Sequence, residues 1–142
     1  MTLRILQSHL SELGDAFLAG DFERYMACTV LPLEVRTRRA TLWVEGELSL
    51  EEGFDCYFNE ACAMGVERIE RRAVSVTGVT NRCLFGRFAS CWLRESAEVV
   101  LSYTAEITLE THRLGWKTSA LGFRSEDTRW PLMPHKLMPG YA

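Results

Sequence analysis

The sequence predicts an α+β fold in which an antiparallel sheet packs against about three helices from the first half of the chain. Apolar residues recur with helical spacing in that half, which indicates amphipathic helices. The second half contains long segments rich in β-branched and aromatic residues, which are typical of strands. Helices collected on one face of an antiparallel sheet define this class.

The first helix is predicted by one apolar stripe, which consists of Leu6, Leu10, Leu13 and Phe17. Gly20 ends this helix, and Asp21 is a suitable N-cap for a short second helix from Phe22 to about Cys28. Pro32 prevents that helix from continuing, because proline lacks the backbone N–H that a helix needs. Residues 33–46 then indicate two short strands joined by a bend.

A third helix is predicted behind Ser49 and Glu52, whose spacing of three residues matches a capping box. Gly65 is expected to end this helix. Its apolar side is formed by Leu50, Phe54, Phe58, Ala61 and Cys62.

Four long strands are predicted after this helix, near residues 66–79, 83–94, 98–111 and 116–124. The tail contains three prolines after Trp130, which favours an irregular conformation. We therefore divide the chain into one domain, residues 1–126, and an irregular proline-rich extension, residues 127–142.

The strand registers follow from matching faces across two turns. A turn at Ser96–Ala97 pairs Leu84 with Leu109, Phe88 with Ala105, Ser90 with Tyr103, and Trp92 with Leu101. A turn at Arg113–Leu114 pairs Leu109 with Thr118, Ile107 with Ala120, and Ala105 with Gly122. On the opposite face, these registers predict ion pairs that join Arg87 to Glu106 and Lys117 to Glu110. A shift of one residue would destroy both patterns.

The two faces of this sheet predict different roles. The inner face carries small residues at its centre, which leave room for a pocket beneath the helices unless helix side chains fill it. The outer face is half apolar and predicts a homodimer surface. Its apolar residues are Phe85, Ala89, Cys91, Leu93, Val100 and Leu121.

Six residues are candidates to bind a ligand in that pocket. Tyr103 faces Ser90 on the inner face and could donate a hydrogen bond to a ligand carbonyl. Phe88 and Thr118 share that face, whereas Tyr57 on the third helix and Trp43 on the early hairpin are expected to border the mouth. For each of them the alternative is ordinary packing.

The arginine clusters have a simpler interpretation. Arg36 and Arg38, beside Glu34, could hold a carboxylate or a phosphate, but we favour a solvated sheet edge. The segment Arg68–Arg72 has the same interpretation.

The length, composition and net charge of the chain are those of one globular domain that does not bind nucleic acid. The 142 residues suit one core, and 47% of them are hydrophobic. A net charge of −3 with interspersed acids and bases argues against a nucleic-acid binder. No apolar run approaches the roughly 18 residues of a membrane span, and the N-terminus lacks the apolar block of a signal peptide. We expect a cytoplasmic protein that binds neither nucleic acid nor membrane.

The cysteines and histidines show no reactive pattern. Five cysteines without a C-x-x-C pair favour buried thiols over a disulfide framework. His9, His112 and His135 are far apart and lack metal-ligand spacing. We expect neither a metal site nor a cofactor.

The segment AFLAGDFERYMACTVLPLEV resembles the helix–GD–helix–Pro–strand opening of the nuclear-transport-factor-2-like superfamily, which includes the SnoaL-like and ketosteroid-isomerase-like domains. The third helix SLEEGFDCYF, the following strands and the late GWK agree with that resemblance. It implies a cystatin-like cone, a curved antiparallel sheet wrapped around helices, with an apolar cavity at its mouth. It also implies a homodimer through the sheet.

The resemblance does not transfer an activity. Isomerases of the superfamily carry a tyrosine about eight residues before the GD aspartate, where this chain has Leu13. Their aspartate base falls in a segment that matches residues 33–40, which contain Glu34 and three arginines but no aspartate. The His and Asp sets of scytalone dehydratase and limonene epoxide hydrolase find no clear match either.

Three functions remain open at this point. The first is a domain that binds a small, mostly apolar molecule. The second is an isomerase, dehydratase or cyclase that uses Tyr103 with an unplaced carboxylate. The third is a homodimeric interaction module with a filled cone. An enclosed cavity favours the ligand-binding domain, and an acid or histidine inside that cavity favours the enzyme. A filled cone favours the interaction module.

Overall fold

The computed structural model describes residues 2–113 and 115–132, without the side chains of residues 100–102. Three helices and six strands are formed by these residues. In chain order they are α1 Thr2–Leu18, α2 Phe22–Ala27, β1 Thr29–Arg36, β2 Thr41–Val44, α3 Glu47–Ala63, β3 Arg68–Val79, β4 Cys83–Arg94, β5 Ala97–His112 and β6 Gly115–Gly122. The predicted α+β class is confirmed.

The first two helices form as predicted. All four residues of the apolar stripe on α1 are buried in the core. Gly20 ends α1 with φ 68°, a conformation that glycine adopts without strain. The carboxylate of Asp21 accepts a hydrogen bond of 3.1 Å from the backbone N–H of Arg24 and so caps α2.

The third helix begins earlier than predicted. It starts at Glu47 behind Gly46 and has no side-chain cap, so the proposed capping box of Ser49 and Glu52 is wrong. Those two residues lie inside the first turns instead of at the helix end. Its far end agrees with the prediction, because Gly65 follows with φ 68°.

The six strands form one sheet in the order β2-β1-β6-β5-β4-β3. Neighbouring strands are antiparallel, except that β1 runs parallel to β6. β1 begins at Thr29, four residues before the predicted start, and includes Pro32. The proline is exposed, and the pairing with β6 shifts between Thr29 and Glu34, so the missing N–H is tolerated there.

The register of β4 and β5 is confirmed over most of its length. Four predicted pairs are present: Leu84–Leu109, Phe88–Ala105, Ser90–Tyr103 and Arg87–Glu106. Near the turn the prediction is wrong by one residue. The turn lies at Glu95–Ser96, both with positive φ, and a shift pairs Trp92 with Val100.

The register of β5 and β6 is confirmed only at the turn end, where Leu109 pairs with Thr118 and Glu110 with Lys117. A shift between Thr108 and Leu109 then places one extra residue on β6. The predicted pairs Ile107–Ala120 and Ala105–Gly122 are therefore wrong. Ile107 pairs with Leu121 instead, and Leu121 turns from the predicted outer face to the inner face. Leu114 of the predicted turn lies outside the described residues.

The predicted cross-strand ion pairs are not formed. Arg87 faces Glu106 and Lys117 faces Glu110, but no ion pair joins either couple among the described residues. Glu110 contacts His112 instead, at 3.4 Å.

The five cysteines are all at least partly accessible. No disulfide is formed in the part of the chain that the structure describes, and none of the five cysteines is fully buried, contrary to expectation. Cys62 is exposed and so does not belong to the buried side of α3, contrary to the prediction. Within residues 2–113 and 115–132, no helix combines the length and apolar character needed to cross a bilayer.

Candidate functional site

A cavity of about 90 Å³ lies between the helices, the inner face of the sheet and the segment that follows β6, residues 123–132, which we call the C-terminal segment. Its walls are mostly apolar. Leu10, Leu13 and Phe17 come from α1, while Phe88 and Trp92 come from β4. This volume is well below the roughly 300 Å³ at which small-molecule sites begin. The cone is therefore neither packed shut nor wide enough, in this conformation, for a drug-sized ligand.

Apart from the indoles of Trp92 and Trp130, the polar groups on the described part of the wall are neutral hydrogen-bonding groups and one cation. They are the tyrosines Tyr25, Tyr57 and Tyr103, the threonines Thr29 and Thr118, and Arg71. Burial raises the pKa of Tyr25 and of Tyr57, so both phenols stay protonated at neutral pH. No aspartate, glutamate or histidine lines the cavity among the described residues.

Arg71 lines the cavity, which the sequence did not predict. We expected Arg68–Arg72 to be a solvated edge, and Arg68 is indeed exposed and paired with Glu70 at 3.1 Å. Arg71 instead faces the cavity from β3, directly opposite Ser90 on β4. The strand alternation contains the signal, because Arg71 shares a face with buried Ala73, which pairs with Phe88.

Three buried polar atoms near this arginine have no hydrogen-bond partner among the described residues. They are Nε of Arg71, Oγ of Ser90 and Nε1 of Trp92. Ser90 and Trp92 are adjacent inward positions on β4, and both side chains are almost fully buried. Unpaired buried polar groups are rare in proteins because each one carries a desolvation cost.

A histidine behind the cavity wall was not identified from the sequence as a site residue. Nε2 of His9 on α1 lies 2.7 Å from Oγ1 of Thr118, and both residues are buried. Burial, and then the nearby charge of Arg71, lower the pKa of His9 to about 4. The imidazole is therefore neutral at pH 7 and supports Thr118 from outside the cavity.

The C-terminal segment covers one side of the cavity. Trp130 and Leu132 both contribute to the wall. The indole N–H of Trp130 donates to the backbone carbonyl of Ser49 at 2.8 Å, and its ring packs edge-on against Tyr57. A Cβ added at Gly53 on α3 would overlap the Trp130 indole, so this glycine makes room for it. The tail beyond Leu132 lies outside the described residues.

Four of the six candidate ligand-binding residues come together at the cavity: Tyr103, Tyr57, Phe88 and Thr118. Ser90 is buried beside it, opposite Arg71, but does not line it. Trp43 is 51% exposed on β2 and lies away from the cavity wall. A role of these residues in ligand binding stays a prediction.

The arginines near the first hairpin are surface residues, as we favoured. Arg36 pairs with Glu34 at 3.1 Å. Arg38 and Arg39 both contact Glu126, at 3.7 Å and 2.8 Å. These contacts neutralise the cluster and tie the C-terminal segment to the hairpin.

Comparison with known proteins gives structural likeness without sequence likeness. No protein-family model matches the chain, and no curated protein matches it. Solved structures do match. An NTF2-like protein of unknown function from Shewanella oneidensis is 12% identical, with a TM-score of 0.63 over 86% of this chain and 98% of that one. An NTF2-like protein with a cystatin-like fold from Novosphingobium aromaticivorans is 14% identical, with a TM-score of 0.64 over 89% and 83%.

The chain has the NTF2-like, cystatin-like fold. A third similar structure is a candidate dehydratase of the NTF2-like family from Streptomyces avermitilis, with 16% identity and a TM-score of 0.61 over 84% of this chain and 92% of that one. Identities this low establish the NTF2-like fold and leave activity open. The resemblance inferred from the GD turn and the late strands is thereby confirmed at the level of fold.

Proposed function

We propose that this NTF2-like cone binds a small, mostly apolar molecule in the cavity beneath its helices. The observation that carries the proposal is an unfilled cavity whose wall combines aromatic and aliphatic side chains with a few hydrogen-bonding groups. A binding site needs such a wall, because apolar contacts supply affinity and a few polar groups fix orientation.

The C-terminal segment supplies the extra space that a ligand needs. A volume of about 90 Å³ is smaller than the roughly 300 Å³ of small ligand sites. Trp130 and Leu132 belong to an irregular segment, and one side-chain hydrogen bond holds the indole to α3. Moving these two side chains would enlarge the cavity without unfolding a helix or a strand. We therefore place the ligand entrance at this segment.

The enzyme alternative has less support in this chain. General acid–base chemistry of the isomerase or dehydratase type needs a titratable acid or base in contact with the substrate. The described cavity wall offers three tyrosines and an arginine, and burial raises the pKa of two of these tyrosines, Tyr25 and Tyr57. His9 lies behind Thr118. The interaction-module alternative needs a filled cone, and the cavity of about 90 Å³ supports the binding proposal over it.

The first test uses 3-phenylpropan-1-ol as a neutral probe in titration calorimetry. We expect the wild-type chain to bind it and Gly53→Ala to bind it more tightly, because the added methyl displaces Trp130 from the cavity. Ile107→Phe is the control, since its larger ring fills the cavity from β5 and should abolish binding. Absence of heat with both the wild type and Gly53→Ala would contradict the proposal, provided that thermal melts show both to be folded.

We further propose that the chain forms a homodimer through the outer face of its sheet. Phe85 is 41% exposed there, on the same strand as half-buried Ala89 and Cys91. Phe85→Lys should convert a dimer to a monomer in size-exclusion chromatography with light scattering, because it buries a charge in the interface. Leu48→Lys, on an exposed site of α3, should leave the dimer intact. A monomeric wild type at micromolar concentration would refute this assembly.

A further inference from the structure

We infer that the ligand carries a carboxylate, which Arg71 binds inside the cone. This inference rests on the proposed binding function and names the chemical class of its ligand: a small acid with an apolar body.

The position of Arg71 provides the first argument. Its side chain reaches the cavity from β3, while its backbone carbonyl accepts a hydrogen bond of 2.8 Å from Gln7 on α1. Nε of this guanidinium is buried and has no hydrogen-bond partner in the described chain. No ion pair joins Arg71 to a carboxylate among the described residues. A guanidinium has only donors, so this nitrogen needs an acceptor from elsewhere.

The indole of Trp92 provides the second argument. Its Nε1–H is also a pure donor, is buried, and lacks a partner in the described chain. Trp92 lines the same cavity as Arg71 and follows Ser90, the residue opposite Arg71, by one inward position on β4. A ligand group with two acceptor oxygens offers one oxygen to each of these two unpaired donors.

The positive charge of Arg71 favours an anionic acceptor. After burial, the positive charge of Arg71 is the next largest influence on both His9, whose pKa it helps to lower, and Tyr25, where it opposes the rise in pKa caused by burial. His9 is neutral, and no acid lines the described wall to balance that charge. Arg71 is half-buried, and on its outer side it lines an open groove with Asp15 and Glu70. Inside the cavity its charge has no anionic neighbour on the described wall, and an anionic ligand would supply one. The planar carboxylate matches a guanidinium in shape, whereas the rings around it suit an apolar body.

The test compares two probes that differ only in the head group, 3-phenylpropanoate and 3-phenylpropan-1-ol, by titration calorimetry at pH 7. On the wild type we expect the acid to bind at least tenfold more tightly than the alcohol. Arg71→Met should abolish this preference, because methionine keeps an apolar side chain of similar length but has neither the charge nor the donors of arginine. Arg71→Lys should retain part of the preference, because it keeps the charge but loses the planar fork.

A thermal melt keeps the comparison interpretable. Arg71→Met should unfold at or above the wild-type temperature, because it removes an unpartnered buried donor. A second readout on the wild type is the NMR signal of the Arg71 Nε–H group, which the acid should shift and the alcohol should not.

The outcomes separate the two proposals. Equal binding of acid and alcohol, with no response of the Nε–H signal, would overturn the carboxylate assignment and leave the binding function standing. Binding of neither probe to the wild type or to the opened variant Gly53→Ala would overturn the binding function and this assignment with it.

Discussion

Replacing Phe54 with alanine should lower the free energy of unfolding by about 3–5 kcal/mol, the range for a fully buried phenylalanine. Phe54 is 4% exposed on α3 and stands at the centre of an aromatic cluster. Its ring centroid lies 5.6 Å from Phe17, 5.4 Å from Phe22, 5.2 Å from Tyr25 and 6.1 Å from Phe58. Truncation would leave a void that these rings, which are held on α1, α2 and α3, can fill only in part.

Urea denaturation followed by circular dichroism measures this loss. Leu48→Ala on the same helix is the matched control, because Leu48 is 80% exposed and its truncation should change the free energy by no more than about 0.5 kcal/mol. Similar losses for the two variants would show that the cluster is not the core of this end of the cone. Since Phe54 supports Tyr25, a cavity residue, we also expect weaker probe binding.

The chain should lose up to about 3 kcal/mol of stability between pH 6.5 and pH 4 through His9 alone. The unfolded histidine takes up a proton near pH 6.5, whereas the folded one does so only near pH 4. Between these values the unfolded state binds the extra proton, so falling pH favours unfolding. Below about pH 4 both states are protonated, and His9 causes no further loss.

Chemical denaturation at a series of pH values tests this window. His9→Gln keeps an amide that can bond to Thr118, and it should remove most of the pH slope between 6.5 and 4. His112→Gln changes an exposed histidine and should leave the slope intact. Glu12 and Glu126, whose pKa values are lowered by hydrogen bonds from Arg24 and Arg39, add acid sensitivity to all three proteins. An unchanged slope in His9→Gln would contradict the buried neutral state.

The parts of the fold that could be predicted are those fixed by local chemistry. A stripe at helical spacing placed α1, and a glycine followed by an aspartate placed the break before α2. Period-two alternation fixed most of the β4–β5 register. The extra residue on β6 leaves no pattern in the sequence, because a bulge depends on how neighbouring strands curve. This bulge moved Leu121 from the predicted outer face to the inner face.

The candidate site was predicted mainly where strand parity determined it, and Tyr57 on α3 is the one predicted residue of the cavity wall that comes from a helix. Tyr103, Phe88 and Thr118 reach the cavity as expected from their face of the sheet. Arg71 was missed because a charged residue in a charged segment is usually exposed. Trp130 and Leu132 were missed for a different reason, since their contacts with α3 join distant parts of the chain.

A crystal structure grown with 3-phenylpropan-1-ol tests the binding function most directly. We predict density for the phenyl ring between Phe88 and Tyr103, with Trp130 moved away from α3 to make space. The same experiment on Ile107→Phe should show the cavity filled by the new side chain. A wild-type structure in which the alcohol is absent from the cone, with Trp130 still bonded to Ser49, would contradict the proposal that this cavity is a ligand site.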